Sequence, residues 1–199
     1  MYKYIKRILD IIASLVFLIV FSPVMLVVVL AIKIDSKGPV LFPQERIGLH
    51  RKPFTIYKFR TMRVDTPKNI PTGELHNPDE YITRVGNFLR KTSLDELPQL
   101  INILKGEMSL IGPRPLIKED SYVLDLRDTC GANDILPGLT GWAQINGRDM
   151  ISDEEKARLD GEYVKNMSFS FDLKCFIGTL FYVLKAEDVV EGYQEDKEK

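Results

Sequence analysis

Apolar residues are distributed unevenly along the chain, and the longest apolar run lies near the N-terminus. No charged residue occurs between Ile11 and Ile32, a run of 22 residues. As a straight helix this run would be about 33 Å long, which is enough to cross the hydrocarbon core of a bilayer. It continues directly into the polar residues 33–37, whereas a secretory signal peptide has a shorter apolar stretch followed by a small-residue cleavage site. The pattern therefore predicts a retained membrane anchor.

Ser22 and Pro23 lie near the middle of this run. Proline lacks a backbone N–H and clashes with the carbonyl four residues earlier, so it kinks or breaks a helix. Basic residues flank both ends of the run, and positive charge resists export: Lys3, Lys6, Arg7, Lys33 and Lys37. The flanks favour a re-entrant helix-break-helix with both ends on the cytoplasmic face, and a kinked spanning helix remains the alternative. In the re-entrant form the Ser22 hydroxyl or the partner helix must satisfy the exposed backbone.

Shorter elements are predicted after the anchor. Residues 54–60 form an extended pattern in which Lys58 and Arg60 share one face. Apolar residues at helical spacing predict a helix over 94–104, and the capping box at 152–155 opens another that runs to about residue 166. An apolar stripe over 173–184 fits either a core helix or a helix lying flat on the membrane. The expected fold is α/β, or mostly α with short strands.

Three regions follow from these patterns: the anchor over 1–35, one small cytoplasmic domain with interfacial amphipathic helices over 36–185, and an acidic tail over 186–199.

The 199 residues carry a net charge of −1, but residues 33–63 hold eight basic and two acidic residues, and the tail holds six acidic and two basic residues. The basic segment suits anionic lipid head groups, or it is an ordinary positive flank of the anchor. No basic patch interleaved with stacking aromatics lies outside this segment, so the sequence argues against a nucleic-acid partner.

Cysteine and histidine are too sparse to predict a zinc site. Cys130 and Cys175 match no metal or redox spacing, and the only histidines are His50 and His76. A metal in this protein would therefore be held by carboxylates and phosphates, which indicates Mg²⁺.

Asp95 and Glu96 are the strongest candidates for chemistry, and two interpretations of them stay open. Ser93 to Glu96 has the form of a capping box, in which the acids would stabilise a helix N-terminus. A carboxylate at a helix N-terminus close to basic residues also stays ionised, and it can bind Mg²⁺ or attack phosphorus.

Arg114 lies between Pro113 and Pro115, which restrict the backbone and hold its planar guanidinium for phosphate binding, unless the segment is a plain surface turn. Residues 137–148 are rich in glycine, amide and hydroxyl groups. Such a segment can let backbone approach a ligand closely, although glycine-rich turns are usually only turns.

Four segments together resemble the bacterial sugar transferase family, the monotopic phosphoglycosyl transferases. They are KFRTM (58–62), SLDELPQLINILKGEMSLIGPRP (93–115), PGLTGWAQINGR (137–148) and LDGEYVKNMSFSFDLK (159–174). With the apolar N-terminal segment, the resemblance extends from about Lys3 to Leu184. The Ser22-Pro23 pair matches the family's re-entrant helix break, and Met167 departs from the pattern at a position where relatives commonly carry an aromatic residue.

The resemblance implies transfer of a sugar-1-phosphate from a nucleotide-diphospho-sugar, by family habit a UDP-sugar, to polyprenyl (undecaprenyl) phosphate, with release of a nucleoside monophosphate. Asp95 would be the nucleophile that forms an aspartyl phospho-sugar, with Mg²⁺ held near it. Glu96 would activate the acceptor phosphate or assist the metal. The residues expected to bind phosphate are Lys58, Arg60, Arg90, Arg114 and Arg148.

The implied location is the cytoplasmic face of the bacterial inner membrane, among membrane lipids, and the sequence is compatible with a homo-oligomer. Two other functions remain: a membrane-tethered scaffold that binds anionic lipid, and a lipid phosphatase that hydrolyses the aspartyl intermediate. The identity of the sugar is not predicted.

Overall fold

The computed structural model describes residues 2–66, 80–147 and 150–185. These ranges are mostly helical with short strands, as predicted. The α-helices are α1 (Tyr2–Asp35), α2 (Arg84–Thr92), α3 (Gln99–Lys105), α4 (Ser121–Cys130), α5 (Trp142–Ile145), α6 (Asp153–Asn166) and α7 (Phe169–Lys185). The strands are β1 (Leu41–Ile47), β2 (Pro53–Phe59), β3 (Ser109–Ile111) and β4 (Gly138–Thr140). The predicted acidic tail, 186–199, lies outside the described residues.

The anchor is one helix, α1, which continues through Pro23. The expected break between two helices is therefore corrected to a single helix that contains a proline. Pro23 has no N–H to give to the carbonyl of Ile19, four residues earlier. The Ser22 hydroxyl donates to that carbonyl at 2.8 Å instead, so the hydroxyl satisfies the backbone and the helix continues.

One face of α1 packs on the rest of the protein along nearly its whole length. The positions on this face recur every three or four residues and are buried or half-buried: Lys6, Asp10, Ser14, Phe17, Phe21, Met25, Val28 and Ile32. The opposite face is exposed and apolar, and only 11% of the most apolar 18-residue window of α1 is buried. A core helix of a soluble protein would be mostly buried, so this helix indicates association with a membrane.

The N-terminal half of α1 is held by buried polar contacts. Lys6 Nζ lies 2.7 Å from Asp172 Oδ2 on α7. The Asp10 carboxylate accepts hydrogen bonds from the Ser109 hydroxyl at 2.7 Å and from the backbone N–H of Leu110 at 3.2 Å. Both contacts join α1 to segments about 100 residues or more away in the sequence, so the helix is part of the domain's scaffold.

The C-terminal half of α1 is held by apolar packing. Val28 and Ile32 form a buried cluster with Phe59 and Leu89. The different contacts of the two halves lie on the same stripe, so the whole helix rests against one domain.

The remaining elements support the site. β1 and β2 pair antiparallel, and β3 and β4 pair parallel. The predicted cap of α6 is confirmed, because Ser152 Oγ accepts from the N–H of Glu155 at 3.2 Å. The apolar stripe on α7 has features of both a core helix and a helix lying on the membrane. Phe176 packs into a cluster with buried Cys175, whereas four apolar residues of the stripe are exposed, namely Leu173, Ile177, Leu180 and Phe181.

Candidate active site

The acidic pair lies on a tight turn between α2 and α3. Ser93 adopts a left-handed backbone conformation with φ of 55°, and a 3-10 turn follows over Leu94–Glu96. Pro98 cannot donate a helical hydrogen bond, so α3 begins only at Gln99, later than the predicted helix. The Ser93 side chain makes no capping hydrogen bond, so the capping box predicted at Ser93 and Glu96 is wrong.

The turn is attached to the membrane helix by its apolar residues. Leu94 and Leu97 flank the acidic pair and pack against the cluster that contains Val28 and Ile32 of α1. The position of the acidic pair is therefore set relative to α1, the helix whose exposed apolar face indicates association with a membrane.

Glu96 lies among cations in a cleft. Lys58 Nζ on β2 is 2.8 Å from Glu96 Oε1, and both side chains are largely buried, with 16% and 14% exposed. The guanidinium of Arg114 is farther from the same oxygen, at 3.4 and 3.5 Å, and 31% of its side chain is exposed. Segments 38 and 18 residues away from Glu96 thus bring two predicted phosphate-binding residues to one carboxylate.

Burial and the surrounding charges set the electrostatics of Asp95. Burial, and secondly the charge of Glu96, raise the pKa of the Asp95 carboxyl from 3.8 to about 6, while Lys58, Arg90 and Arg114 oppose this shift. No hydrogen bond or ion pair joins the Asp95 carboxylate to another of the described residues. At pH 7 this carboxylate is mostly ionised and keeps its oxygens for a ligand, as a nucleophile requires.

Two further arginines belong to this region. Arg90, predicted from the sequence, donates from Nε to the Thr61 hydroxyl at 3.0 Å and acts on the pKa of Asp95. Arg46 was not predicted, although it lines the cleft together with Lys58, Glu96, Gln99 and Arg114. Burial and the charge of Arg114 lower the pKa of Arg46 to about 10, which leaves it protonated at neutral pH. Its position in the basic segment was the only signal in the sequence.

The glycines of residues 137–148 serve backbone packing. A Cβ on Gly138 would lie 2.1 Å from the backbone nitrogen of Gly112, and one on Gly141 would lie 2.0 Å from the Gly112 oxygen. These glycines therefore let the segment after β3 approach β4, with Gly112 donating to the carbonyl of Thr140 at 2.9 Å. The close approach joins the backbone at Gly112, two residues before Arg114, to the backbone at Gly138 and Gly141.

The other two predicted phosphate-binding residues are not brought to the cleft by described contacts. Arg60 is buried, and its guanidinium donates to the carbonyls of Ser36 and Lys37 at 2.9 and 2.7 Å, just past the end of α1. Lys58 and Arg60 lie two residues apart, but their side chains serve different partners because β2 ends at Phe59. Arg148 lies outside the described residues.

The described residues include no group of three or more His, Cys, Asp or Glu side chains that could hold a metal by themselves. The acidic pair supplies two adjacent carboxylates. Magnesium in phosphate-handling sites is commonly held by one or two carboxylates together with substrate phosphates and water, so the residues present fit this ion only with a phosphate substrate.

In chemical terms, the half-buried Asp95 carboxylate is mostly ionised at pH 7 and is influenced by three cationic side chains, those of Lys58, Arg90 and Arg114. Such cations stabilise charge on a phosphoryl group during its transfer, and such a carboxylate can attack phosphorus. The arrangement is suited to phosphoryl transfer through a covalent enzyme intermediate.

Comparison with known proteins finds similar sequences among sugar transferases. Residues 1–186 match the family profile described as bacterial sugar transferase. The chain is 44% identical over 185 residues to the uncharacterized sugar transferase EpsL of Bacillus subtilis, covering 93% of this chain and 90% of that protein.

Relatives with named reactions are longer. The UDP-glucose:undecaprenyl-phosphate glucose-1-phosphate transferase of Escherichia coli is 41% identical over 90% of this chain and 40% of its own length. The UDP-N-acetylgalactosamine-undecaprenyl-phosphate N-acetylgalactosaminephosphotransferase of Aeromonas hydrophila is 37% identical over 92% of this chain and 44% of its own. The chain thus spans less than half the length of these two relatives, whose names carry different sugars.

Proposed function

The chain belongs to the bacterial sugar transferase family, and from this premise we propose that it transfers a sugar-1-phosphate from a nucleotide-diphospho-sugar to polyprenyl phosphate. The donor would be a UDP-sugar and the acceptor undecaprenyl phosphate, as in the names of the relatives. The observation that carries the proposal is the Asp95-Glu96 turn, with Lys58 and Arg114 on Glu96, attached to an apolar helix.

In the proposed mechanism an oxygen of ionised Asp95 attacks the phosphorus that bears the sugar. The bond from that phosphorus to the bridging oxygen breaks, and the nucleoside monophosphate leaves with the electron pair. An oxygen of polyprenyl phosphate then attacks the same phosphorus. The aspartyl bond breaks, polyprenyl diphospho-sugar is released, and Asp95 is again a free carboxylate.

The surrounding residues have distinct proposed roles. Lys58, Arg90 and Arg114 bind the phosphate groups, and Arg46 adds a fourth cation on the wall of the cleft. Glu96 holds Lys58 and Arg114 near Asp95 and accepts a proton from, or orients, the acceptor phosphate. Arg60 is not included, because its hydrogen bonds go to the end of α1.

Magnesium would be held by the Asp95 carboxylate together with oxygens of the donor diphosphate. When bound, the ion would neutralise negative charge on the diphosphate. This assignment follows from the adjacent carboxylates and from the phosphate chemistry of the substrates.

We further propose that α1 bends at Pro23 without a break in the helix and is re-entrant, and that the domain lies on the cytoplasmic face of the inner membrane. Contacts with the domain run from Tyr2 to Ser36, so both ends of α1 are held by the same domain. A helix that crossed the bilayer away from the domain would lose the contacts of one half. Basic residues at both ends of α1 also support a common side.

The reaction is tested by incubating purified enzyme with undecaprenyl phosphate and a series of nucleotide-sugars, and by measuring nucleoside monophosphate. Release of the monophosphate that depends on both substrates supports the proposal and identifies the sugar. Release of inorganic phosphate instead would indicate a lipid phosphatase. Binding of anionic vesicles with every donor left unchanged would indicate a scaffold.

The covalent step is tested separately with labelled donor and no lipid. Mass analysis of peptides that contain Asp95 should then show one added phospho-sugar, and steady-state kinetics should be ping-pong. An active enzyme that never carries this group, and whose kinetics require both substrates bound together, would contradict the covalent mechanism while leaving the transferase activity intact.

The topology is tested with single cysteines at positions 3 and 37 (Lys3→Cys or Lys37→Cys) in a background that carries Cys130→Ser and Cys175→Ala. In intact cells both positions should be shielded from an impermeant thiol reagent, and both should react after lysis. Labelling of position 3 alone before lysis would mean that α1 spans the membrane. Pro23→Ala restores a backbone donor and should shift the population toward spanning, with lower activity.

A further inference from the structure

The backbone around Arg114 is held at four consecutive carbonyls. Each accepts a hydrogen bond from a different residue, and two of the donors are arginine side chains. The donors to residues 113, 114, 115 and 116 are, in order, Gly138 N at 2.8 Å, Arg127 NH1 at 2.9 Å, Arg46 NH1 at 3.3 Å and Ile47 N at 2.8 Å. This dense bonding limits the movement of the main chain from which the Arg114 side chain projects.

The donor to the Arg114 carbonyl is itself fixed by a buried ion pair. Arg127 on α4 lies 2.8 Å (Nε) and 2.6 Å (NH2) from Oδ2 of Asp160 on α6. Only 5% of the Arg127 side chain and 1% of the Asp160 side chain are exposed. Since Nε and NH2 are directed at Asp160, the planar guanidinium has NH1 directed at the carbonyl of Arg114.

We propose that Asp160 and Arg127 are positioning residues for the active-site Arg114. Asp160 orients Arg127, and Arg127 holds the Arg114 main chain so that its guanidinium meets Glu96 and the substrate phosphate. This inference rests on the proposed function of Arg114. It also gives a role to Asp160. This residue lies in the segment 159–174, and no step of the proposed phosphoryl transfer uses a residue of that segment.

A role in positioning accounts for the ion pair better than a role in stability. Replacing a buried ion pair with apolar residues of similar volume is often neutral or stabilising, so such a pair is weak evidence for stabilisation. A planar guanidinium can bind a carboxylate with one edge and a carbonyl with a third N–H in fixed relative directions, whereas the donors of a lysine ammonium rotate about one atom and an apolar side chain has none.

The test replaces the whole pair, Arg127→Met with Asp160→Leu, which removes both charges and keeps the volume so that the protein folds. With wild-type enzyme and its best nucleotide-sugar, this double replacement should lower kcat/KM roughly 10- to 100-fold, the effect of a small misplacement of a binding group. In an Arg114→Ala background the same replacement should lower kcat/KM less than about threefold, because the group it positions is already absent. The control, Arg158→Gln with Glu155→Gln, removes an exposed ion pair from the same helix α6 and should leave the activity unchanged.

Hydrogen exchange provides a readout that does not depend on turnover. In the Arg127→Met/Asp160→Leu protein, peptides that span residues 112–117 should exchange at least several-fold faster than in wild type, while peptides from β2 should not change. Unchanged exchange in 112–117 would overturn the inference even if no substrate were found. Equal losses of kcat/KM with and without Arg114 would also overturn it. Failure of the wild-type enzyme to turn over any donor, with faster exchange in 112–117, would instead count against the proposed function.

Discussion

Two clusters of arginine and carboxylate lie on either side of the Arg114 main chain, and they are built differently. In the cleft, the Arg114 guanidinium is 3.4 Å or more from Glu96, and 31% of its side chain is exposed. Behind it, Arg127 lies 2.6 Å from Asp160 with 5% of its side chain exposed. We call these the open cluster and the closed cluster.

The difference separates charged side chains that bind the substrate phosphate from charged side chains that hold the main chain in place. Long contacts in a solvent-accessible cleft exchange readily for contacts with an incoming phosphate, whereas short contacts in a closed interior do not. Replacing a residue of the open cluster should therefore affect chemistry without a large loss of stability. Residues of the closed cluster should affect stability when one partner is removed, and activity only through geometry.

The largest effect should come from Asp95→Asn. Loss of the nucleophile should lower turnover by about 10⁴-fold or more, as for other enzyme nucleophiles. The same change should raise the free energy of unfolding at pH 7 by about 2–3 kcal/mol, because ionised Asp95 has a pKa of about 6 in the folded chain against 3.8 when unfolded. Assays of monophosphate release and thermal unfolding measure both, with Asp125→Asn on the surface as the control. A less stable Asp95→Asn protein would contradict this account of the turn.

Glu96→Gln should have the next largest effect, lowering kcat by about 10²- to 10⁴-fold. The amide removes the charge that holds Lys58 at 2.8 Å, while the fold keeps its shape. Glu162→Gln, an exposed residue of α6, is the matched control. Activity within a few-fold of wild type would exclude Glu96 from the open cluster's function.

The closed cluster should respond to a single replacement mainly in stability. Asp160→Leu leaves the Arg127 charge buried without its carboxylate, so the free energy of unfolding should fall by about 3–5 kcal/mol. Adding Arg127→Met should recover most of this loss. Urea unfolding of both variants measures it, and Arg114→Ala in the open cluster should change stability by less than about 1 kcal/mol. Equal destabilisation by Arg114→Ala and Asp160→Leu would remove the distinction between the clusters.

The smallest effect concerns pH. In the proposed mechanism Asp95 must be ionised to attack, so kcat/KM should fall about tenfold for each pH unit below its pKa of about 6. Lys58→Met removes a charge that lowers this pKa, so the acid limb should move to higher pH. Glu96→Gln removes a charge that raises the pKa, so the limb should move to lower pH. A limb that stays in place in both variants would belong to the titration of a substrate phosphate.

Local patterns in the sequence predicted much of this arrangement. The cap at Ser152, the extended segment around Lys58 and the use of the Ser22 hydroxyl all depend on residues within a few positions. The capping box at Ser93 failed because Pro98 interrupts the helix and Ser93 adopts a left-handed conformation, which the spacing does not reveal.

Other features depend on partners too distant for a pattern to show. The sequence indicated that Arg60 shares a face with Lys58, but the end of α1 takes its guanidinium. Arg46 and Arg127 reach the Arg114 segment from 69 and 13 residues away. The buried charges of α1 were not predicted for the same reason, because Asp10 contacts Ser109 only after the chain has folded back.

The contacts of α1 also impose an order on biosynthesis. Asp172, the partner of Lys6, lies 166 residues later in the chain, so at about 5–20 residues per second a ribosome reaches it roughly 8–33 s after Lys6. During this time Lys6 of the new helix lacks its later partner Asp172. Lys6 and Asp10 are one helical turn apart and within 4.0 Å of each other, so they can neutralise one another while the rest of the enzyme is being made. Helix α7, which is synthesised long after α1, therefore completes the buried polar contacts of α1.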